Sequence, residues 1–159
     1  IDALGILKKE GIDFTAAFVG GSSKPDSEYP AQLREQAEKL GITDRVTFVG
    51  AVPNTETYRY YRSHEIFVNC SKSGMFDKTI FKAIACGCLV VATSRDFADL
   101  AGEEFAFTEN DAEGLAKKLV EFLSASNSEH RRLVEVLAGS IKSHSLPFLM
   151  TRLVEEMRK

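Results

Sequence analysis

Short apolar runs alternate along this chain with longer stretches in which apolar residues recur every three to four positions. The first pattern is typical of buried strands and the second of amphipathic helices. Glycine closes several of these runs, as at Gly11, Gly41 and Gly50. The pattern predicts strands at residues 14–19, 45–49, 66–69, 89–92 and, shorter, 104–107. It predicts helices at residues 2–10, 31–40, 78–85, 112–123, 129–141 and 147–157, and a short helix that is capped by Asn54 or Thr55 and ends at Tyr61.

This alternation of strands and helices predicts an α/β domain with a Rossmann-like, doubly wound parallel sheet. We expect residues 1–159 to form a single domain, since that length can bury a proper core. A doubly wound domain normally begins with a strand that is central in the sheet, whereas this chain begins within a helix. The sequence therefore predicts a domain that is truncated at its N-terminus and lacks its first strand.

Composition and charge disfavour several classes of protein. Hydrophobic residues make up 44% and charged residues 27%, as in ordinary globular domains. The net charge of −3 is mixed along the chain, so no nucleic-acid partner is expected. No apolar run approaches the roughly 20 residues that a membrane span requires, and no signal peptide is visible. Three cysteines, an odd number, suit a reducing cytoplasm, and we predict a cytoplasmic location.

A resident metal or cofactor is not expected. Three cysteines and three histidines lack the paired spacing of a zinc site. Cys86 and Cys88 flank Gly87 at a predicted helix end, and we expect them to pack there as small buried residues.

The segment from Ser71 to Cys88 carries the candidate chemistry, because it follows a strand, turns at Gly74 and runs into a helix. A helix N-terminus presents unpaired backbone N–H groups and about half a positive charge, which together favour a phosphate. Lys78 would add a cation at that point, and Thr79 would add a hydroxyl and an exposed amide. The segment therefore predicts a phosphate-binding turn.

A plainer interpretation of this segment stays open. Asp77 is also an ordinary helix N-cap, and Lys78 can be a solvated lysine. Neither a P-loop nor a GxGxxG motif is present, which disfavours an ATPase or a dinucleotide-dependent oxidoreductase.

Two segments of the chain resemble the C-terminal domain of retaining glycosyltransferases of family 4, also called group 1. They are FVGGSSKPDSEYPAQLREQAEKLGITDRV and TFVGAVPNTETYRYYRSHEIFVNCSKSGMFDKTIFKAIACGCLVVATS, so that the resemblance covers roughly residues 13–124. It implies a GT-B architecture, in which two Rossmann-like domains face each other and the second binds a nucleotide sugar without a metal. By this resemblance, the chain is the donor-binding half of an enzyme that transfers sugar with retention of configuration.

The same resemblance implies the partners. They are a nucleotide diphosphate sugar and an N-terminal acceptor-binding domain that the chain lacks, and membrane contact would arise only through that domain. A basic Arg and Lys pair that grips the diphosphate in this family would also lie upstream, so we expect the chain alone to be inactive and to bind donor at about millimolar concentration.

Candidate donor-binding residues follow from the resemblance and from the loops at the carboxyl ends of the predicted strands. Gly50, Ala51 and Val52 fall where the family frames the nucleotide base, and Lys82 falls at the ribose. The full set is Gly20, Gly21, Gly50, Ala51, Val52, Ser71, Ser73, Gly74, Met75, Phe76, Asp77, Lys78, Thr79 and Lys82, with no catalytic side chain assigned.

Two positions depart from the family. Gly74 and Lys82 stand where the family has two glutamates that contact the donor sugar and the ribose. Asp77 or Lys78 could take over sugar or phosphate contacts. Lys82 cannot accept two hydroxyl hydrogen bonds, so it would donate one bond to a ribose oxygen or turn to solvent.

Two alternatives therefore stay open. The first is a non-catalytic interaction or regulatory module derived from the family. The second is an unrelated flavodoxin-like or response-regulator-like domain, which the absence of an acidic pocket near the first strand disfavours.

Overall fold

The computed structural model describes residues 1–21, 28–71, 77–144 and 146–157. Within these ranges the strands are β1 (Ala16–Val19), β2 (Val46–Gly50), β3 (Ile66–Asn69) and β4 (Leu89–Ala92). The helices are α1 (Asp2–Lys9), α2 (Tyr29–Lys39), α3 (Thr57–Arg62), α4 (Lys78–Ala85), α5 (Arg95–Ala101), α6 (Ala112–Leu123), α7 (Asn127–Ser140) and α8 (Leu146–Met157). Short 3₁₀ turns lie at Thr43–Arg45, Glu103–Phe105 and Lys142–His144.

The predicted bounds of β3, β4, α4 and α6 are confirmed. The two helices begin at side-chain caps: Asp77 accepts a hydrogen bond from the amide of Thr79, and Asp111 accepts one from the amide of Gly114. Such caps satisfy amides that a helix start leaves unpaired. The remaining predicted helices and strands differ from the observed ones by one or two residues at an end, apart from those described next.

The prediction of a strand at residues 104–107 is wrong. Residues Glu103–Phe105 form a 3₁₀ turn, and a single parallel bridge joins Ala92 to Ala106. Pairing ends there because the chain reaches the edge of β4 only at Ala106, and the amide of Phe107 then donates to the carbonyl of Ala92.

Two helix starts also differ from the prediction. Helix α5 occupies residues that the sequence left as a loop, and its cap is Ser94, whose Oγ accepts from the amide of Phe97. Helix α3 begins after Glu56 and has no side-chain cap, so the prediction of a cap at Asn54 or Thr55 is wrong. The hydroxyl of Thr57 instead donates to the carbonyl of Asn54.

The strands form two parallel pairs within the described residues. β1 pairs with β2, with Ala16 opposite Val46, and β3 pairs with β4, with Ile66 opposite Leu89. β1 and β3 are not hydrogen-bonded to each other. In a doubly wound sheet one further strand lies between these two halves. Within the described residues a gap therefore separates the two pairs.

The gap has a visible opening at the amino ends of β1 and β3. Phe14, Ile66 and Phe122 help to line a cleft there of about 350 Å³. All four residues of β4 are buried, whereas most of β1 and β3 is only half-buried. The residues that precede β1 and β3 therefore meet at one cleft.

Two clusters of buried side chains form the core. One surrounds β4 and includes Leu89, Phe105 and Leu137. The other lies under α1, β1 and β2 and includes Leu7 and Ile42. Helix α6 joins them, because it contributes Phe122 to the first cluster and Leu119 to the second. None of the described helices is both long and apolar enough to cross a membrane.

Candidate functional site

Buried polar side chains mark the carboxyl ends of β3 and β4. Asn69 is 6% exposed, and Thr93 and Ser94 are also buried. These are the buried polar residues that the described part of the chain contains. Since a buried polar group costs free energy unless it is hydrogen-bonded, such a cluster needs an internal network.

Asp77 is the centre of that network. One carboxylate oxygen, Oδ2, accepts from Nδ2 of Asn69 at 2.6 Å and from Oγ of Ser71 at 3.2 Å. The other, Oδ1, accepts from the amide and the hydroxyl of Thr79 at 2.8 and 2.7 Å. Asp77 is therefore a helix N-cap, as the plainer interpretation predicted.

The network also sets the ionisation of Asp77. Partial burial raises the pKa of the carboxyl, but the hydrogen bonds from Thr79, Asn69 and Ser71 stabilise the ionised form and lower the pKa overall. A negative charge therefore stands at the N-terminus of α4, where the helix dipole favours it.

The prediction that Thr79 presents an exposed amide and a free hydroxyl is wrong. Both groups donate to Asp77, and the amide of Ile80 donates to the carbonyl of Asp77 at 3.1 Å. Asp77 thus accepts hydrogen bonds from donors that would otherwise be available to a bound anion. Of the described residues at this helix start, Lys78 is exposed and provides a cation.

Thr93 directly follows β4 and donates hydrogen bonds to the end of β3 and to the segment after it. Its hydroxyl donates to the carbonyl of Ser71 at 2.5 Å, and its amide donates to the carbonyl of Asn69 at 3.1 Å. Ser71, a predicted site residue, is therefore held from two sides, because its hydroxyl also reaches Asp77.

Lys82 points to a neighbouring loop. Its Nζ lies 2.5 Å from Oδ1 of Asn54, in the loop that follows β2. This contact joins α4 to the loop that contains Ala51 and Val52. The sequence predicted a ribose contact or solvent for Lys82, and its partner Asn54 lies 28 positions earlier in the chain.

The loops after β1 and β2 meet at the same edge. The amide of Gly20 donates to the carbonyl of Gly50 at 2.8 Å. Gly50 has a φ of 80°, a conformation that side chains disfavour. A Cβ added at Gly21 would lie 3.3 Å from the Cβ of Ala51. Hence Gly20, Gly21, Gly50 and Ala51 are brought together, with Val52 following half-buried.

Four predicted site residues, Ser73, Gly74, Met75 and Phe76, lie outside the described residues. The described part of this segment thus consists of Ser71 on one side and Asp77 to Thr79 on the other. Asn69 and Thr93 were not among the predicted site residues. Their signal was a polar residue at the end of an apolar strand or directly after it, at the edge where doubly wound sheets bind ligands.

Cys88 is a packing residue at the end of α4, whereas Cys70 is exposed. The thiol of Cys88 is buried and donates to the carbonyl of Tyr61 at 2.9 Å, and burial, followed by the nearby Cys86 and Glu65, raises its pKa to about 11. Gly87 has a φ of 92° at the end of α4. The prediction that both cysteines are buried at this helix end is confirmed for Cys88, whereas Cys86 is half-buried. Across the described ranges, no three His, Cys, Asp or Glu side chains gather into a possible metal site.

Comparison with known proteins agrees with this geometry. The family model "Glycosyl transferases group 1" matches residues 1–125. Alpha-monoglucosyldiacylglycerol synthase of Streptococcus pneumoniae is 34% identical over 87 residues, which are 55% of this chain and 18% of that protein. The chain thus spans about a fifth of the length of the curated relatives that it matches.

Two solved structures share the fold. Alr3699/HepE of Anabaena, in complex with UDP, has a TM-score of 0.83 at 20% identity, covering 99% of this chain and 43% of that one. The C-terminal domain of a group 1 glycosyl transferase (LpcC) of Francisella tularensis has a TM-score of 0.75 at 21% identity, covering 89% of this chain and 75% of that one. Both agree with an α/β domain of the GT-B type. From the family match, this chain belongs to the group 1 glycosyl transferases.

Proposed function

We propose that this chain is the donor-binding domain of a retaining glycosyltransferase and takes a nucleotide diphosphate sugar at the carboxyl edge of its strands. The observation that carries the proposal is the meeting of the β2 loop with α4: Lys82 contacts Asn54, and Lys78 is exposed one helical turn earlier. A cation beside a helix N-terminus stabilises a diphosphate and, during transfer, the leaving nucleotide.

The parts of the donor can be assigned to the described residues. The backbone of Gly50 to Val52 would hold the base, and the edge formed by Asn54 and Lys82 would face the ribose. Lys78 would bind the diphosphate. The complexes of Alr3699/HepE with UDP and with UDP-glucose support this class of ligand, because the two chains share a fold.

The intact protein would complete the enzyme. We propose that residues 1–159 form one domain and that a second, N-terminal domain binds the acceptor, since the chain covers 43% of the length of Alr3699/HepE. Transfer with retention would take place between the two domains. All three cysteines are free thiols, which suits a cytoplasmic location.

The test is nucleotide binding by a Lys78→Ala variant. Loss of one charge-assisted contact should raise the Kd for UDP about tenfold. Lys9→Ala is the matched control, because Lys9 ends α1, beside the opposite edge of the sheet, and is also exposed. Ligand-detected NMR measures the Kd of wild type and of each variant for UDP and for UDP-glucose. An unchanged Kd in Lys78→Ala would remove Lys78 from the site.

A non-catalytic module is the second candidate. It is favoured by the capture of the Thr79 donors by Asp77, which leaves fewer groups for an anion. Under this function, wild-type chain would bind neither UDP nor UDP-glucose at millimolar concentration, and the full-length protein would not hydrolyse or transfer from UDP-glucose. This candidate would be excluded if wild type bound UDP or UDP-glucose and Lys78→Ala bound the same nucleotide more weakly.

A further inference from the structure

We propose that Asn69 is a positioning residue for the donor diphosphate: its amide holds the Asp77 carboxylate in the helix cap, so that the carboxylate does not turn to the Lys78 ammonium and compete with the diphosphate for it. The inference rests on the proposed function and concerns a residue that makes no contact assigned to the donor.

Asn69 is buried, and its side chain has hydrogen-bond partners at both polar atoms. Its side chain ends β3, and both of its polar atoms are used: Oδ1 accepts from the amide of Ser71 at 3.0 Å, and Nδ2 donates to Asp77 at 2.6 Å. Nδ2 also lies 3.4 Å from the hydroxyl of Thr79. A buried amide with both ends bonded has one orientation, so it fixes Oδ2 of Asp77 relative to β3.

Asp77 carries a negative charge next to a lysine. It directly precedes Lys78, the exposed cation of this helix start. A carboxylate that lost its hydrogen-bond donors would be free to approach the Lys78 ammonium, compete for it and repel an anion. While Asn69, Ser71 and Thr79 donate to both oxygens, four hydrogen bonds hold the carboxylate in the cap.

Other titratable groups surround Asp77. Tyr61 of α3 has a raised pKa, first because of burial and then because of the Asp77 charge. Asp96 of α5 lines a small cavity with Asp77. Lys78 is the neighbouring cation. Asp96 is a like charge and Lys78 an opposite one, so among the described residues named here Lys78 is the group that the Asp77 carboxylate would approach if the network did not hold it.

The test is Asn69→Asp, which keeps the shape and the Oδ1 acceptor but replaces the donor with a second carboxylate oxygen. Two carboxylates at hydrogen-bond distance do not both ionise readily. At pH 8 the variant should bind UDP about tenfold more weakly than wild type. At pH 5, where the pair shares a proton, the difference should largely disappear. Asn127→Asp, an exposed position at the start of α7, is the matched charge control.

A second measurement is independent of ligand. The ¹³C shift of the Asp77 carboxyl should report a higher pKa in Asn69→Ala than in wild type, and thermal unfolding should show that both Asn69 variants remain folded at the temperature used. If Asn69→Asp is no longer folded, Asn69→Ala serves for the UDP measurement and should also weaken binding.

The outcomes separate the two claims. Wild-type chain that fails to bind UDP would overturn the proposed function and this inference together. Wild-type binding with the same Kd in the folded Asn69 variants, or a loss in Asn69→Asp that is the same at both pH values, would overturn this inference alone. A loss confined to high pH, together with the raised Asp77 pKa, would support it.

Discussion

The ammonium of Lys82, on α4, donates a hydrogen bond to the side-chain oxygen of Asn54, in the loop after β2, across a distance of 2.5 Å. The family resemblance expects a carboxylate at Lys82 that accepts bonds from the ribose hydroxyls. Here the position carries a donor, and that donor is directed to the protein. The side chain at the position that would meet the ribose is therefore a hydrogen-bond donor, where the family has an acceptor.

Restoring the acceptor should strengthen nucleotide binding. A Lys82→Glu variant would offer two oxygens to the ribose hydroxyls, and we expect its Kd for UDP to fall about tenfold, the effect of one good charge-assisted hydrogen bond. The gain should shrink for 2′-deoxy-UDP, which lacks one hydroxyl. Lys82→Gln is the control for loss of the cation alone. Equal gains for both nucleotides would contradict a ribose contact.

Acid should destabilise the fold through Asp77. Its folded-state pKa lies below the ordinary value because the hydrogen bonds from Thr79, Asn69 and Ser71 outweigh the larger single effect of burial, which raises it. The stabilisation is therefore fully present above the unfolded-state pKa and is lost as the pH falls through the folded-state value.

Urea unfolding of wild type and Asp77→Ala between pH 7 and pH 2 measures this contribution. The free energy of unfolding of wild type should exceed that of the variant at pH 7 by about 1 kcal/mol, the usual effect of an N-cap. The difference should narrow as the pH falls. A difference that stays constant over this range would contradict the assignment.

Cys88 should be nearly inert to thiol reagents in the native protein. Its pKa of about 11 leaves little thiolate at pH 8, and its side chain is buried. We expect alkylation by iodoacetamide at least about 100-fold slower than for a free cysteine. Mass spectrometry of the labelled peptides, with and without 6 M urea, checks this. Native labelling of Cys88 at the rate of free cysteine would show that the end of α4 opens readily.

Leu89 should contribute far more to stability than the exposed Leu153. Leu89 is wholly buried at the start of β4, whereas Leu153 on α8 is 53% exposed. Leu89→Ala should lower the free energy of unfolding by about 2–5 kcal/mol. Leu153→Ala should change it by about 0.5 kcal/mol or less. Urea denaturation compares the two, and similar losses would contradict the position assigned to β4.

Local patterns were sufficient for much of the fold. The bounds of α4 follow from Asp77 as a cap and from apolar residues at helical spacing, and those of β4 follow from an unbroken apolar run. Helix α5 escaped prediction because its signal is a single capping serine before a short segment. The strand expected at 104–107 failed because pairing depends on the distant edge of β4, and only one bridge forms there.

The sequence by itself determined the class of fold, the family and the position of Asp77 at a helix start, because periodicity, caps and ordered motifs involve residues close together in the chain. Only the tertiary structure decided that Asn69 and Thr93 close the network around Asp77 and Ser71, and that Lys82 meets Asn54. Such contacts depend on how strands and helices pack, since side chains 8 to 28 positions apart become neighbours only once the sheet edge has formed.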